Sequence, residues 1–277
     1  MPHRSCFVAV LGRVGLATAL LGSAVPDSAL AADGAIELNQ AGASFPIVLS
    51  ESGRYVLTSN LSVRAFGTSA IRVEAEDVTL DLNGFTVSLD FPQSGPIADG
   101  VDAQLATGLT IRNGTIRSFN GNCLRTGARA RIEDLTTRDC SRVGVFTSDG
   151  LVRSVQAEGN GTLGVLAGGT SVVVSSRAVS NGGDGIGIDG LVVDSVAALN
   201  GGDGIELLSE SSTIRGNTVT RNTGAGIRAP NAFLCSATAD RSGYGGNTIT
   251  RNGTDVISSN CLVEIGPNVC GNDSACP

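Results

Sequence analysis

The sequence predicts an all-β fold, a single-stranded parallel β-helix (a solenoid) whose coils are about 21 residues long. Three observations predict it. Apolar residues that follow turns rich in Gly, Asn and Asp recur at near-constant spacing. The segments between those turns are short alternations of β-branched residues without a helical period. Glycine makes up 38 of 277 residues, roughly twice the usual share.

The elements follow in chain order. Residues 1–31 read as a secretory signal peptide. His3, Arg4 and Arg13 give a weakly basic start, Val14 to Val25 is apolar, Pro26 breaks the run, and Ala29-Leu30-Ala31 has small-x-small cleavage chemistry. The run is shorter than the ~20 residues that a bilayer span needs. The expected location is therefore secreted or periplasmic, after cleavage near Ala31, with no transmembrane segment. Residues 32–69 are expected to form an N-terminal cap and first strands. Residues 70–260 form the coils, and 261–277 a Cys-rich C-terminal cap.

The repeat is visible by eye. Gly216-Asn217-Thr218-Val219-Thr220-Arg221-Asn222 nearly coincides with Gly246-Asn247-Thr248-Ile249-Thr250-Arg251-Asn252, and Asn181-Gly182-Gly183-Asp184-Gly185-Ile186 with Asn200-Gly201-Gly202-Asp203-Gly204-Ile205. The apolar residues after such turns are Val101, Leu124, Val145, Val165, Ile186, Ile205, Ile227 and Val256. They are separated by 23, 21, 20, 21, 19, 22 and 29 residues, and Ile71 marks an earlier turn of the same kind. A leucine-rich repeat would have a similar period. It is excluded because the L-x-x-L-x-L frame and any helical stretch are missing. A coil of this kind buries its apolar face only by stacking on the next, about 4.8 Å away. Asn160, Asn181, Asn200 and Asn222 all lie five residues before their markers. They are expected to stack and hydrogen-bond along the axis as a polar ladder. Cys140 holds the same place one coil earlier.

Composition removes whole classes of chemistry. The net charge of −7 opposes a nucleic-acid partner, which needs a basic surface. There is no Lys, and His3 is the only His. Schiff-base chemistry, a Walker-type lysine and a Ser-His-Asp mechanism lack their residues.

With the repeat in place, the chain resembles the right-handed parallel β-helix proteins of the pectin-lyase-like superfamily, with NosD-type, carbohydrate-associated repeats. The resemblance is carried by Gly53-Arg54-Tyr55-Val56-Leu57-Thr58-Ser59-Asn60-Leu61, by Val78 to Val87, and by the ending Gly266-Pro267-Asn268-Val269-Cys270 through Cys276-Pro277. It spans roughly residues 45–277. It implies the fold and its right hand. It does not imply one activity, because the fold hosts lyases, hydrolases, epimerases, adhesins and binding proteins.

Side chains alternate along a strand, so the residue after each marker should face outward. That gives a column of Arg72, Asp102, Arg125, Phe146, Leu166, Gly187, Glu206, Arg228 and Ile257. One reading is an ion-pair ladder against slippage. The other is a groove in which Arg72, Arg125 and Arg228 grip sugar carboxylates, beside Asp102 and an apolar step at Phe146 and Leu166. In the lyases that the chain resembles, substrate lies on this face. Asp184 and Asp203 occupy equivalent places in adjacent coils and are expected one rung apart, where they could share Ca²⁺. Asp before Gly is also ordinary turn chemistry.

The catalytic designs of the resembling enzymes mostly fail here, for want of an Asp-Asp pair, Gly-His-Gly, a Lys base or Asp-Pro-His-Glu. An Arg-and-carboxylate set survives, with Arg228 as base and Glu206 beside it. Six cysteines remain in the exported chain, Cys123, Cys140, Cys235, Cys261, Cys270 and Cys276, and they allow 15 pairings. The expected set is Cys123–Cys140, closing about one coil, with Cys235–Cys261 and Cys270–Cys276 fastening the end. Two insertions, Asp90 to Gly100 and Ala229 to Gly245, interrupt the period.

The expected function is non-catalytic, with no obligatory cofactor: an exported protein presents a long polar face to an acidic glycan or surface partner. The alternatives are a calcium-dependent polysaccharide lyase and a self-associating surface protein.

Overall fold

The computed structural model describes residues 34–65, 67–90, 95–209, 211–229, 241–257 and 262–271. Every regular element among them is a strand, and every strand pairing is parallel. Each coil contributes one short strand to each of three sheets.

The first sheet runs from Ile47–Leu49 through Ile71–Val73, Val101–Ala103, Leu124–Thr126 and Val145–Thr147 to Val165 and Ile186, and on to Ile205–Leu207, Ala225–Arg228 and Thr254–Ile257. The nine sequence markers fall in one register here, from Ile71 opposite Val101 to Ile227 opposite Val256. All nine point into the core and are buried. The second sheet begins with Ile36–Leu38 on Gly53–Leu57 and ends with Leu262–Glu264. The third runs from Leu61–Val63 to Val269–Cys270. Pairing therefore extends beyond residues 70–260: it takes in strands within 32–69, and Leu262–Glu264 and Val269–Cys270 after them.

The core is a narrow stack of Leu, Ile, Val and Ala, with Phe119 and Tyr244 the largest fully buried side chains. Such a core needs its corners closed, because a buried backbone N–H without an acceptor costs about 1–3 kcal/mol. Polar ladders close all three. Between the third and first sheets, the Asn160, Asn181 and Asn200 amides each donate to the Oδ1 of the next Asn at 2.9–3.0 Å, and the ladder continues through Asn222 to Asn252. Each Oδ1 also accepts the backbone N–H of the preceding ladder residue. Cys140 sits at the expected corner and donates its N–H to Asn160 Oδ1.

Two further ladders were not anticipated. Ser176, Ser195, Asn217, Asn247 and Asn268 form one between the second and third sheets. Ser171, Ser212 and Ser242 accept backbone N–H groups between the first and second. The residue before each Asn-ladder position turns the corner at positive φ: Ser180, Leu199, Arg221 and Arg251 lie at 57–58°.

Many of the glycines make room for the Asn ladder. Gly144, Gly164, Gly185, Gly204 and Gly226 stand just before the first-sheet markers. A Cβ on any of them would lie 2.6–2.7 Å from a ladder Asn Nδ2, too close to fit without a shift. The Cys123–Cys140 disulfide is present. Cys270 is also disulfide-bonded. Cys235, Cys261 and Cys276 lie outside the described residues, as do the expected signal peptide and most of the second insertion.

Candidate functional site

The outward column of the first sheet assembles in the order read from the sequence. Arg72 stands opposite Asp102, Asp102 opposite Arg125, Arg125 opposite Phe146, and Phe146 opposite Leu166. Gly187, Glu206, Arg228 and Ile257 follow one rung at a time. The expected ion-pair ladder is not there. Among the described residues, no carboxylate lies within ion-pairing distance of Arg72 or Arg125. Asp102 turns to its own loop, where it accepts the Gln104 N–H at 3.4 Å. Arg125 instead lies over the Phe146 ring, 5.6 Å from its centre. Stacked ion pairs do occur on the second sheet, where Arg112 meets Asp81 at 3.0 Å and Arg153 meets Glu133 at 2.9 Å. A shallow depression lined by Arg72, Glu74, Asp102, Gln104 and the exposed Leu105 opens beside the Arg72 end.

Further along, Asp184, Asp203, Glu206 and Arg228 come together. Asp203 is almost buried, and Arg228 grips it through Nε to Oδ2 and Nη2 to Oδ1, the latter at 2.9 Å. The same Oδ1 accepts the Ala225 N–H at 2.6 Å. Asp184 does the equivalent one coil earlier, with Oδ1 accepting the Asp203 N–H at 2.6 Å. Asp99 repeats the contact with Asn122. These carboxylates cap backbone donors that the Gly-rich turns leave open. This is the turn-chemistry role expected of an Asp before Gly. Both Asp203 oxygens are held by N–H donors, and the Arg228 guanidinium lies against them.

Partial burial pushes the Glu206 carboxyl above the usual range, as do the negative charge and hydrogen bond of Asp184 and the charge of Asp203; Arg228 opposes the shift. The Asp203 contact raises the Arg228 pKa further. A base needs the opposite shift, so Arg228 is poorly placed as a proton acceptor. It is a clamp on Asp203.

A family profile described as the right handed beta helix region matches residues 46–233. The chain belongs to the right-handed β-helix family. No curated protein matches in sequence. Among solved structures, the A-module of mannuronan C-5 epimerase AlgE4 from Azotobacter vinelandii is similar, with a TM-score of 0.60 and 13% identity over 86% of this chain and 85% of that one. The periplasmic alginate epimerase AlgG has a TM-score of 0.51 at 14% identity, covering 84% and 72%. The A-module of AlgE6 from the same Azotobacter species gives 0.51 at 15%, covering 86% and 84%. At these identities the likeness is one of fold. Among the described residues, no helix of this β-helix protein is long and apolar enough to cross a membrane.

Proposed function

We propose that this β-helix protein is exported and binds an acidic polysaccharide along the outward column of its first sheet. The carrying observation is that Arg72 and Arg125 stand in that column without an ion pair among the described residues, flanking Asp102 and leading to Phe146. A guanidinium presents forked donors that match a sugar carboxylate. The rungs repeat at about 4.8 Å, close to the length of one pyranose in an extended chain. Successive sugars would then meet successive side chains. Structurally similar proteins named as alginate epimerases make alginate, a polyuronate, the first polymer to try.

The test is calorimetric titration with alginate and pectate oligomers at two salt concentrations. Saturable binding that weakens with salt, and that drops about tenfold or more in Arg72→Gln with Arg125→Gln, supports the reading. Affinity unchanged in that double variant overturns it.

A second reading is catalytic. It is favoured by the Glu206 carboxyl, which burial and the neighbouring Asp184 push above the usual range, the direction that suits a general acid. Incubating the same polymers and looking for new reducing ends or unsaturated products tests it. Products that vanish in Glu206→Gln support it, and intact polymer refutes it.

A further inference from the structure

The outward column has an order that fits its own reverse. Leu166 is central. One rung to either side stand Phe146 and Gly187, two rungs away Arg125 and Glu206, and three rungs away Asp102 and Arg228. Facing two such columns with their axes antiparallel, about a two-fold axis through Leu166, brings unlike partners together at the three rungs on either side of it. Arg125 meets Glu206, Asp102 meets Arg228, Phe146 meets Gly187, and Leu166 meets itself. Gly187 has no side chain, and Leu163, Leu166 and Leu208 close over it. A Cβ there would lie 3.1 Å from the Leu163 and Leu166 methyls and 3.7 Å from that of Leu208. Those leucines cover the buried Gly187 with an apolar patch against which a Phe ring can pack, and Leu208 is 37% exposed. The cationic side of the seam has Arg125, which has no ion pair among the described residues. The anionic side is the Asp184–Glu206 cluster.

We propose that the first sheet is a homodimer interface in which a second copy of the chain packs antiparallel across the Leu166 rung. An isologous contact of this kind needs a self-complementary surface, and four successive matches supply one. The inference does not rest on the glycan reading. It does predict that an acidic polymer and a second copy compete for one face.

The experiment is sedimentation equilibrium on the exported chain without any glycan. The expected result is a concentration-dependent dimer. Leu166→Arg sets two like charges against each other on the axis and should shift the protein to monomer with the far-ultraviolet circular dichroism of the parent, its melting temperature no longer depending on concentration. Arg125→Glu and Glu206→Arg should each weaken the dimer about tenfold or more, and the two together should restore it, since every seam pairs one with the other. A monomer throughout, a dimer indifferent to Leu166→Arg, or a double exchange that restores nothing each overturns the proposal. Glycan titration of the Leu166→Arg monomer reports separately on the binding reading.

Discussion

The side-chain amide of Asn181 donates to Asn200 Oδ1 at 3.0 Å, and that oxygen also accepts the Asn181 backbone N–H at 3.0 Å. One side chain thereby satisfies two buried donors of the coil below. Its own amide serves the Ala178 carbonyl and Asn222.

Asn200→Ala should accordingly be among the most damaging single changes. It removes four buried hydrogen bonds, and at about 0.5–1.5 kcal/mol each, with the added cost of the Asn181 N–H left open, a loss of roughly 3–5 kcal/mol is expected. Denaturant unfolding measures it. A loss below about 1 kcal/mol would show that water replaces the ladder at that rung.

Leu199 turns its corner at a φ of 58° while its side chain is 51% exposed. A left-handed conformation costs an L residue about 1 kcal/mol, and Asn tolerates it better. Leu199→Asn should raise stability by up to about 1 kcal/mol, read as a higher melting temperature. A fall would mean that the Leu199 side chain contributes more by packing than the backbone strain costs.

The raised Glu206 carboxyl has a pH signature. A carboxyl whose folded pKa lies above its unfolded value of about 4.3 favours the folded state most when protonated. That contribution is complete below the unfolded value and is lost as pH rises through the folded one. Glu206→Gln should therefore melt higher than the parent at neutral pH, and the gain should shrink toward nothing at pH values below the ordinary carboxylate range. A gain that is constant with pH would contradict the shift.

Cys123 and Cys140 are joined across a sequence separation of 17. Closing a loop of that size lowers the entropy of the unfolded chain by an amount worth about 3 kcal/mol. Replacing both with Ser should cost about that much or more, since both sulfurs are also buried in the core. Chemical denaturation of the double variant would show it, and an unchanged midpoint would refute it.

The register of the first sheet was legible because every coil repeats one grammar: turn, small residue, buried marker, outward residue. Ile186 and Ile205 pair as their spacing implies, and the outward column follows by alternation. The ladder through Asn160 was legible because its members are all Asn at one distance from their markers. The ladder through Asn217 was not, although the repeated septet contains both Asn217 and Asn222. Ser176 and Ser195 stand in for Asn in earlier coils and break the pattern, because any short acceptor at that corner can take the N–H. The hydrogen-bond partners of Asp184 and Asp203 were not legible either. The sequence shows two carboxylates in register but not the backbone donors at Asp203 and Ala225 that engage them. Arg228 was expected to pair with Glu206, yet Asp203 lies closer at the turn and holds it with two nitrogens.

The ladders make each coil end in the same hydrogen-bonding joint with which the next begins. A unit bounded by two such joints can be copied into the chain without either neighbour having to change. The near-identical septets at 216–222 and 246–252 fit one duplication of this kind. Growth by whole coils would lengthen the outward column in steps of one rung, so the reach of the protein can evolve separately from its stability.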